Sequence, residues 1–359
     1  MAATSFGTNH PLTNKLWARK LFHEALKNTI AGKFISGGEG TNSLVSLRTD
    51  LKKQKGDRIR QGLRVQLSGT GVQGDGTLEG NEEALVTYYD DVIIDQLRHA
   101  VRSAGKMSEQ RVTFEHRAEA EMGLRDWWTD RLDASFLNQL SGNTGQSDTK
   151  YTGNQATIAP STSQLIGAGP NLDVGEASLS ASTTFALQLR DLDRAKVLAE
   201  TQTYPIRPID VDGEKKYVCI MHPYQVYQLR RDTTANNFFD VWKAAMQGGR
   251  IGTNPIFTGS LAEYNGIILY SDSRIPIITG TPASGTAANF RRAVFCGAQA
   301  LLMGVGGDNS ATEMSWNEDT FDYGNQLGVE AGMIFGMKKT RFNSIDFATI
   351  AISGYAPAV

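Results

Sequence analysis

The residues of this chain that could do chemistry are few, and their spacing decides most of what they can do. The sharpest pattern is Gly69-x-Gly71-x-x-Gly74, which follows a strand-like run and matches a dinucleotide fingerprint. That fingerprint works because its third glycine opens a helix whose N-terminus holds a pyrophosphate. Here Asp75-Gly76-Thr77-Leu78-Glu79-Gly80 continues as loop, and Asp75, Glu79, Glu82 and Glu83 place negative charge where phosphate would sit. The context argues against nucleotide binding.

Other constellations are weaker. His10, His23, His99, His116 and His222 show no i, i+3 or i+4 pair and no partner cysteine pair, so zinc-ligand spacing is absent. Cys219 and His222 stand three apart as an imaginable nucleophile and base, but His222 precedes Pro223 at a strand end, which favours a structural role. There is no Gly-x-Ser-x-Gly elbow, and Gly32-Lys33 and Gly105-Lys106 lack the hydroxyl residue of a phosphate loop. Asp90-Asp91 and Asp191 with Asp193 read as solvated carboxylates rather than metal ligands. Trp127 and Trp128 form an adjacent aromatic pair that reads as core rather than as a stacking platform. The residues therefore predict no catalytic centre, cofactor site or metal site.

Composition agrees. A length of 359 residues can bury a sizeable core and leaves room for two lobes. With 36 basic and 38 acidic residues the net charge is −2, which gives no electrostatic case for a dedicated nucleic-acid binder. Cys219 and Cys296 each lie in an apolar strand-like run, as small buried hydrophobes in a reducing compartment would. The opening MAATSFGTNHPL lacks the order of a signal peptide, and the apolar run at 294–305 is too short and broken to span a bilayer. The expectation is a soluble protein made in the cytosol.

The element that must position everything else is the stretch 113–140. Phe114, Ala118, Met122, Leu124, Trp127, Trp128, Leu132, Phe136 and Leu140 recur at helical spacing, with charge on the remaining face. Thr113 is the expected N-cap and Gly142 the stop, giving a spine helix on the order of 40 Å at about 1.5 Å per residue. Before it, Asn14 caps a short amphipathic docking helix with Leu16, Trp17, Leu21, Ala25 and Leu26 on one face. Strand-like alternation at 45–51, at 63–67 and along 84–102 frames the glycine-rich loop 68–83. Such a two- or three-strand ribbon is marginal alone, so its expected support is another copy of the protein.

After the spine comes a polar loop with a strand expected near Ala156 to Ile158, then a helix capped by Ser182 or Thr183. Pro205 and Pro208 mark a boundary, beyond which strands at 216–221, 266–271 and 293–303 alternate with helices at 223–231 and 236–247. Without a repeated βαβ spacing, an α+β class is predicted over a doubly wound sheet. The strand-like tail from Gln326 is expected to return to the first lobe.

Four runs then carry a resemblance: LWARKLFHEALKNTI, RTDLKKQKGDRIRQGLRVQLSGTGVQGDGTLEGNEEAL, DQLRHAVRSAGKMSEQRV leading into DWWTDRLD, and YVCIMHPYQVYQLRRD. Together they resemble the major capsid proteins of tailed bacteriophages, specifically the N-four-type group, over nearly the whole chain. The resemblance implies the Hong-Kong-97-like (Johnson) capsid fold. On this sequence it implies an N-terminal arm and docking helix at 1–42, an extended β-hairpin loop at 43–102, a peripheral domain at 103–205, an axial domain at 206–325, and a return to the peripheral domain at 326–359. It further implies self-assembly into pentamers and hexamers of an icosahedral virion head around double-stranded DNA, built in the host bacterial cytoplasm, with portal, scaffolding and decoration proteins as partners. Inter-subunit contact falls to Gly69, Gly71, Gly74, Asp75, Gly76, Leu78 and Glu79 at the loop tip, arm docking to Leu16, Trp17 and Leu21, and the spine core to Trp127, Trp128, Leu132 and Phe136.

Some relatives weld subunits through a lysine in the extended loop. The loop 68–83 has none, so locking is expected to be noncovalent. The chain also begins almost directly with its arm, without a long helical pro-segment, so any scaffold is expected to be a separate protein. The alternatives are an encapsulin-like nanocompartment shell, which needs an enzyme cargo, a dinucleotide-binding oxidoreductase, which needs Gly69 to Gly74 to hold cofactor, and a monomeric binding module.

Overall fold

The computed structural model describes residues 42–51, 55–111, 116–169, 176, 179–211, 213–231, 263–278, 289–307 and 314–358. The expected docking helix with Leu16, Trp17 and Leu21, the Thr113 cap and the helix at 236–247 lie outside them. In chain order the strands are β1 (Val45–Arg48), β2 (Arg58–Arg64), β3 (Thr87–Ile93), β4 (Asp95–Arg102), β5 (Leu165–Gly167), β6 (Ile209–Val211), β7 (Glu214–Met221) and β8 (Glu263–Tyr264). They continue with β9 (Ile267–Ser271), β10 (Phe290–Cys296), β11 (Leu301–Gly306), β12 (Ser315–Phe321), β13 (Gln326–Lys339), β14 (Arg341–Phe342), β15 (Ile345–Asp346) and β16 (Thr349–Tyr355). The helices are α1 (Lys106–Gln110), α2 (His116–Ser141), α3 (Leu189–Thr201) and α4 (Pro223–Arg231).

Two sheets organise these elements. In the first, β13 is central, with β11, β12 and β4 antiparallel along it and β1 parallel to β11. The period-2 alternation of β13 gives each face its own job. Val329, Ala331, Met333, Phe335 and Met337 are buried in one core with Leu124, Trp128, Leu132, Phe136 and Leu140 of α2. Burying six large side chains of α2 (Leu124, Trp128, Leu132, Phe136, Leu137 and Leu140) is worth on the order of 10–15 kcal/mol of transfer free energy before entropy is subtracted. The opposite face carries Gly328, Gly332 and Gly336, four residues apart, and takes other chain segments at close range.

The second sheet runs β5-β16-β10-β7-β9-β8, with β6 on β7. Its central strand β10 is buried at all seven positions, including Arg291 and Arg292. One continuous hydrophobic cluster joins α2 and the first sheet to β7, β10 and β16 of the second.

Several boundaries differ from the sequence reading. The spine helix is described from His116, and Lys106–Gln110 forms α1, where Asn325 Oδ1 accepts from Lys106 N. It ends as expected at Gly142, whose φ of +61 is left-handed backbone. The 45–51 run is not ribbon: Val45 and Leu47 are buried because β1 pairs with β11. The 84–102 run breaks at Ile94, β3 pairing with β2 and β4 with β13.

The 293–303 run is also two strands, divided at Gly297 to Ala300 and placed in different sheets. A division at 325/326 separates neither sheet, since β11 and β12 pair with β13 while β16 inserts between β5 and β10. No strand occupies 156–158; one forms at Leu165–Gly167, where β16 offers an edge. Ser182 caps only a short 3₁₀ turn at Thr183–Phe185, and α3 starts later with Gln188 and Asp191 in a reciprocal capping box. The helix at 223–231 stands where the sequence places it.

Candidate functional site

The ribbon β2–β3 is a two-stranded sheet apart from the two large ones, and its base is held by residues the sequence reading left unassigned. Side chains of Ile59, Val92 and Ile94 lie where Cβ atoms at Gly304 and Gly306 would be, within 2.7–3.4 Å of those positions. At Gly336 the fit is closer still, because a Cβ there would overlap the Ile93 carbonyl oxygen. Glycine is needed where backbone meets backbone this closely.

Charge completes the seat. Lys338 on the same face of β13 pairs with Asp90 and donates to Asp91 O at 3.0 Å, and Arg341 N donates to Asp90 Oδ2 at 2.9 Å. Asp90 is therefore buried and paired, not solvated, whereas Asp91 forms a bidentate pair with Arg60 at 2.7 and 2.8 Å. The Arg60 guanidinium beside it holds the Asp91 carboxyl below the usual range. The base of the ribbon is thus supported by its own chain, where the sequence reading expected another copy of the protein.

Beyond Val65 the support stops. The last backbone bond across the ribbon is Val65 N to Val86 O at 3.0 Å, and Gly69, Gly71, Gly74, Asp75, Gly76, Leu78 and Glu79 are all exposed. Leu67 is 58% exposed, Leu78 62%, Leu85 59% and Val86 46%. With Val72 at 38%, these five large apolar side chains in one stretch exceed the scatter normal on a monomer surface.

The same loop settles the glycine motif. The Glu83 carboxylate accepts from Ser68 N at 2.9 Å and from Gly69 N at 2.6 Å, and these backbone bonds hold its carboxyl below the usual value. The amides at the start of Gly69-x-Gly71-x-x-Gly74 already serve an internal anion, and no helix follows Gly74. A pyrophosphate cradle is not formed.

Candidates elsewhere are structural. Cys219 is fully buried and its thiol is pushed up to about 12 by desolvation. His222 caps α4: its Nδ1 accepts from Tyr224 N at 3.1 Å, while its carbonyl accepts from Gln225 N and Val226 N. Burial and the neighbouring Arg291 lower its pKa to about 4. Asp191 is wholly buried in the α3 cap, where desolvation raises its pKa to about 6. Asp193 accepts from Tyr264 Oη at 2.8 Å and Asn265 Nδ2 at 3.0 Å. Trp128, Leu132 and Phe136 are fully buried, and Trp127 packs edge-on to Trp128 while stacking on His99 at 4.5 Å. Among the described residues no group of three or more His, Cys, Asp or Glu could hold a metal ion, and no helix is long and apolar enough to cross a membrane.

Buried ion pairs pin the spine to the second sheet. Arg292 makes bidentate bonds of 2.9 and 2.7 Å to Glu176, and its remaining Nη1 donates to the carbonyls of Ser141 and Gly142 at the end of α2. Ser353 Oγ on β16 donates to the same Glu176 at 2.6 Å. On the spine itself, Asp133 meets Arg274 at 2.6 Å. Lys339 and Asp346 pair at 2.8 Å with both side chains almost wholly buried, and that burial lowers the Lys339 pKa. The signal for these was present as Arg291-Arg292 opening an apolar strand, since buried guanidinium groups must find acceptors.

A family model described as phage capsid protein matches residues 5–358. The major capsid protein of Pseudomonas phage KPP25 is 28% identical over 365 aligned residues, covering 93% of this chain and 92% of that one. The solved capsid of Ralstonia phage GP4 superposes with a TM-score of 0.75 at 30% identity, over 100% of this chain and 94% of the other. The capsid of cyanophage Pam1 matches at 0.73 with 19% identity over the full length of both, which is a likeness of fold.

Proposed function

The chain belongs to the phage capsid protein family, and from that premise we propose how its ribbon and arm build a shell. It is a structural major capsid protein of the phage head with the Hong-Kong-97-like fold. Self-association into a capsid follows from that assignment.

The finer reading is that subunits form pentamers and hexamers of an icosahedral head around double-stranded DNA, assembled in the host bacterial cytoplasm. The distal ribbon 65–86 crosses onto an adjacent subunit, with Gly69, Gly71, Gly74, Asp75, Gly76, Leu78 and Glu79 at its contact. The N-terminal segment with Leu16, Trp17 and Leu21 docks on a neighbour, and the β7–β10 sheet belongs to the part that meets at the capsomer centre. The role is structural rather than catalytic. Portal, scaffolding and decoration proteins are its partners, and the net charge of −2 suits a container that does not grip its contents.

The observation that carries this reading is the contrast along one ribbon: a base locked by Gly336, Lys338 and Asp90, and a tip with exposed Leu67, Leu78, Leu85 and Val86. Each of those four side chains is about half exposed, so burying the rest on a neighbour is worth about 1 kcal/mol each before association costs. Electron microscopy with sedimentation of the purified chain, alone and with scaffold, tests it. Shells or capsomer rings are the expected product, and a compact monomer or dimer under all conditions would overturn it. Because 68–83 contains no lysine, mature particles should dissolve to monomer on a denaturing gel; a covalent ladder would refute noncovalent locking.

A further inference from the structure

The hairpin joining β12 to β13 turns through Asp322, Tyr323 and Gly324, all three in left-handed backbone with φ of +52, +52 and +82. Glycine adopts that conformation freely and aspartate tolerates it, but for tyrosine it is strained. Nothing within the turn accounts for the choice, because Tyr323 is 109% exposed. A strained aromatic held wholly in solvent points to a contact outside its own chain.

The turn beneath it is braced. Asn325 N donates to Asp322 O at 2.9 Å, and Asn325 Oδ1 accepts from Lys106 N at 3.3 Å. The Arg102 guanidinium lies 4.3 Å over the Phe321 ring, and Gln326 Nε2 donates to Ala104 O at 3.3 Å. The ring is therefore presented on a support that needs little further ordering to bind.

A receptor of suitable size lies at the other end of β13. A groove of about 340 Å³ is walled by Leu63 and Tyr88 of the ribbon base, Tyr204 after α3, and Phe342 and Ile345 of the β14–β15 hairpin, with Arg64 among its lining residues. A cavity of about 150 Å³ already holds a benzene ring, so this groove has room for a phenol and its stem. Its aromatic walls suit a ring.

We propose that Tyr323 of one copy seats in this groove on a second copy, with the adjacent Asp322 pairing with Arg64 of the receiving chain. This rests on the self-association stated above and names one contact within it.

Distance excludes the same chain as occupant. At about 3.3 Å per residue, the 14 residues of β13 put about 45 Å between the tip beyond Gln326 and the hairpin beyond Lys339. The tip is also bonded into the sheet as far as the pair Phe321 and Gln326, so it cannot fold back. Two different patches at opposite ends of one strand make a heterologous contact, the kind that builds rings and extended arrays.

Charge supports the same pairing. The stretch 314–325 holds Glu318, Asp319 and Asp322 with no lysine or arginine, and Glu318 is already paired with Arg117. In the groove, Asp346 is taken by Lys339 and Arg341, which leaves Arg64 as a cation with no acidic partner among the described residues. An incoming Asp322 supplies one and fixes the orientation of the ring beside it.

The test uses the full chain with Tyr323→Cys and Ile345→Cys together; the native Cys219 and Cys296 are buried and do not compete. Mild oxidation of assembled shells should give a ladder of disulfide-linked oligomers on a non-reducing gel, absent from either single variant. Dimers from Tyr323→Cys alone would show tip meeting tip and overturn the groove. Shells that form normally and give no linked product would also overturn it, while leaving self-assembly standing.

Charge reversal covers the case in which the double cysteine variant does not assemble. Arg64→Asp and Asp322→Arg should each lower shell yield at least fivefold, and the two together should restore most of it. Unchanged yield in both single variants, or no recovery in a combined variant that sediments as a folded subunit, would sink the pairing. If the wild type itself forms no shells, a disulfide ladder from the concentrated cysteine pair would support the contact and strike the assembly reading, and its absence would strike both.

Discussion

Ile93 places its backbone carbonyl directly over Gly336, so the ribbon crosses β13 at a point where no side chain fits. Gly336→Ala should therefore lift the ribbon base and cost about 1–3 kcal/mol or more, the range for overpacking a tight site. Gly332→Ala should cost less, because its methyl meets only side-chain atoms, the Ser315 hydroxyl and the Arg98 stem, which can shift where the Ile93 backbone over Gly336 cannot. Thermal denaturation of the two variants beside wild type measures the order. Equal loss at both positions would contradict the close-approach account.

The pair Arg292–Glu176 joins three separated parts of the chain. Glu176→Gln leaves the Arg292 guanidinium buried without its counter-charge, and breaking one side of such a pair typically costs about 3–5 kcal/mol. Urea denaturation should show the midpoint fall sharply. Replacing both with well-packed apolar residues should recover part of that loss, since the remaining partner is no longer stranded.

His222 makes stability pH-dependent with a definite sign. Its folded pKa, about 4, lies below the ordinary value of 6.5, so the unfolded chain binds the proton more readily and stability falls as pH drops from about 6.5 toward 4. Arg291 and the Tyr224 ring face the imidazole, with Asp272 opposing them only weakly. Asp191 acts the other way, its raised pKa of about 6 removing stability as pH rises from 3.8. Comparing wild type with His222→Asn isolates the histidine, because Asp191 is common to both and asparagine still caps a helix. The wild type should lose more stability than the variant between pH 6.5 and 4.5. Parallel profiles would remove His222 from the account.

Glu83 ties the two sides of the ribbon tip together through Ser68 and Gly69. Glu83→Ala should speed hydrogen exchange at the amides of Ser68 and Gly69 in the unassembled chain while leaving the melting temperature unchanged, because the loop contributes nothing to the core. Unchanged exchange would mean that the carboxylate does not order the loop.

Much of this architecture was legible in the sequence because it rests on local periodicity. The 3.6-residue recurrence through Leu124, Trp128, Leu132 and Phe136 specified the spine, and Gly142 its end, since both are properties of one continuous segment. The loop 68–83 showed its failure as a phosphate site from the glycines and acids that follow Gly74. Strands expected at 216–221 and 266–271 and in the tail from Gln326 followed from runs of apolar residues, and the structure forms them at 214–221, 267–271 and 326–339.

What tertiary structure alone decided is which strands become neighbours. Nothing local distinguishes β11 from β10, yet they join different sheets, and β1 leaves the ribbon because β11 offers it a parallel edge. The spacing of Gly328, Gly332 and Gly336 along the strand-like tail has no local reason until other parts of the chain are seen lying over it. Arg292 opens an apolar strand, but nothing local names its acceptor, Glu176, 116 residues away. Sequence determines what each segment is able to bury, by composition and period. Only the folded chain determines against what, because close approach and ion pairing depend on partners that are distant along it.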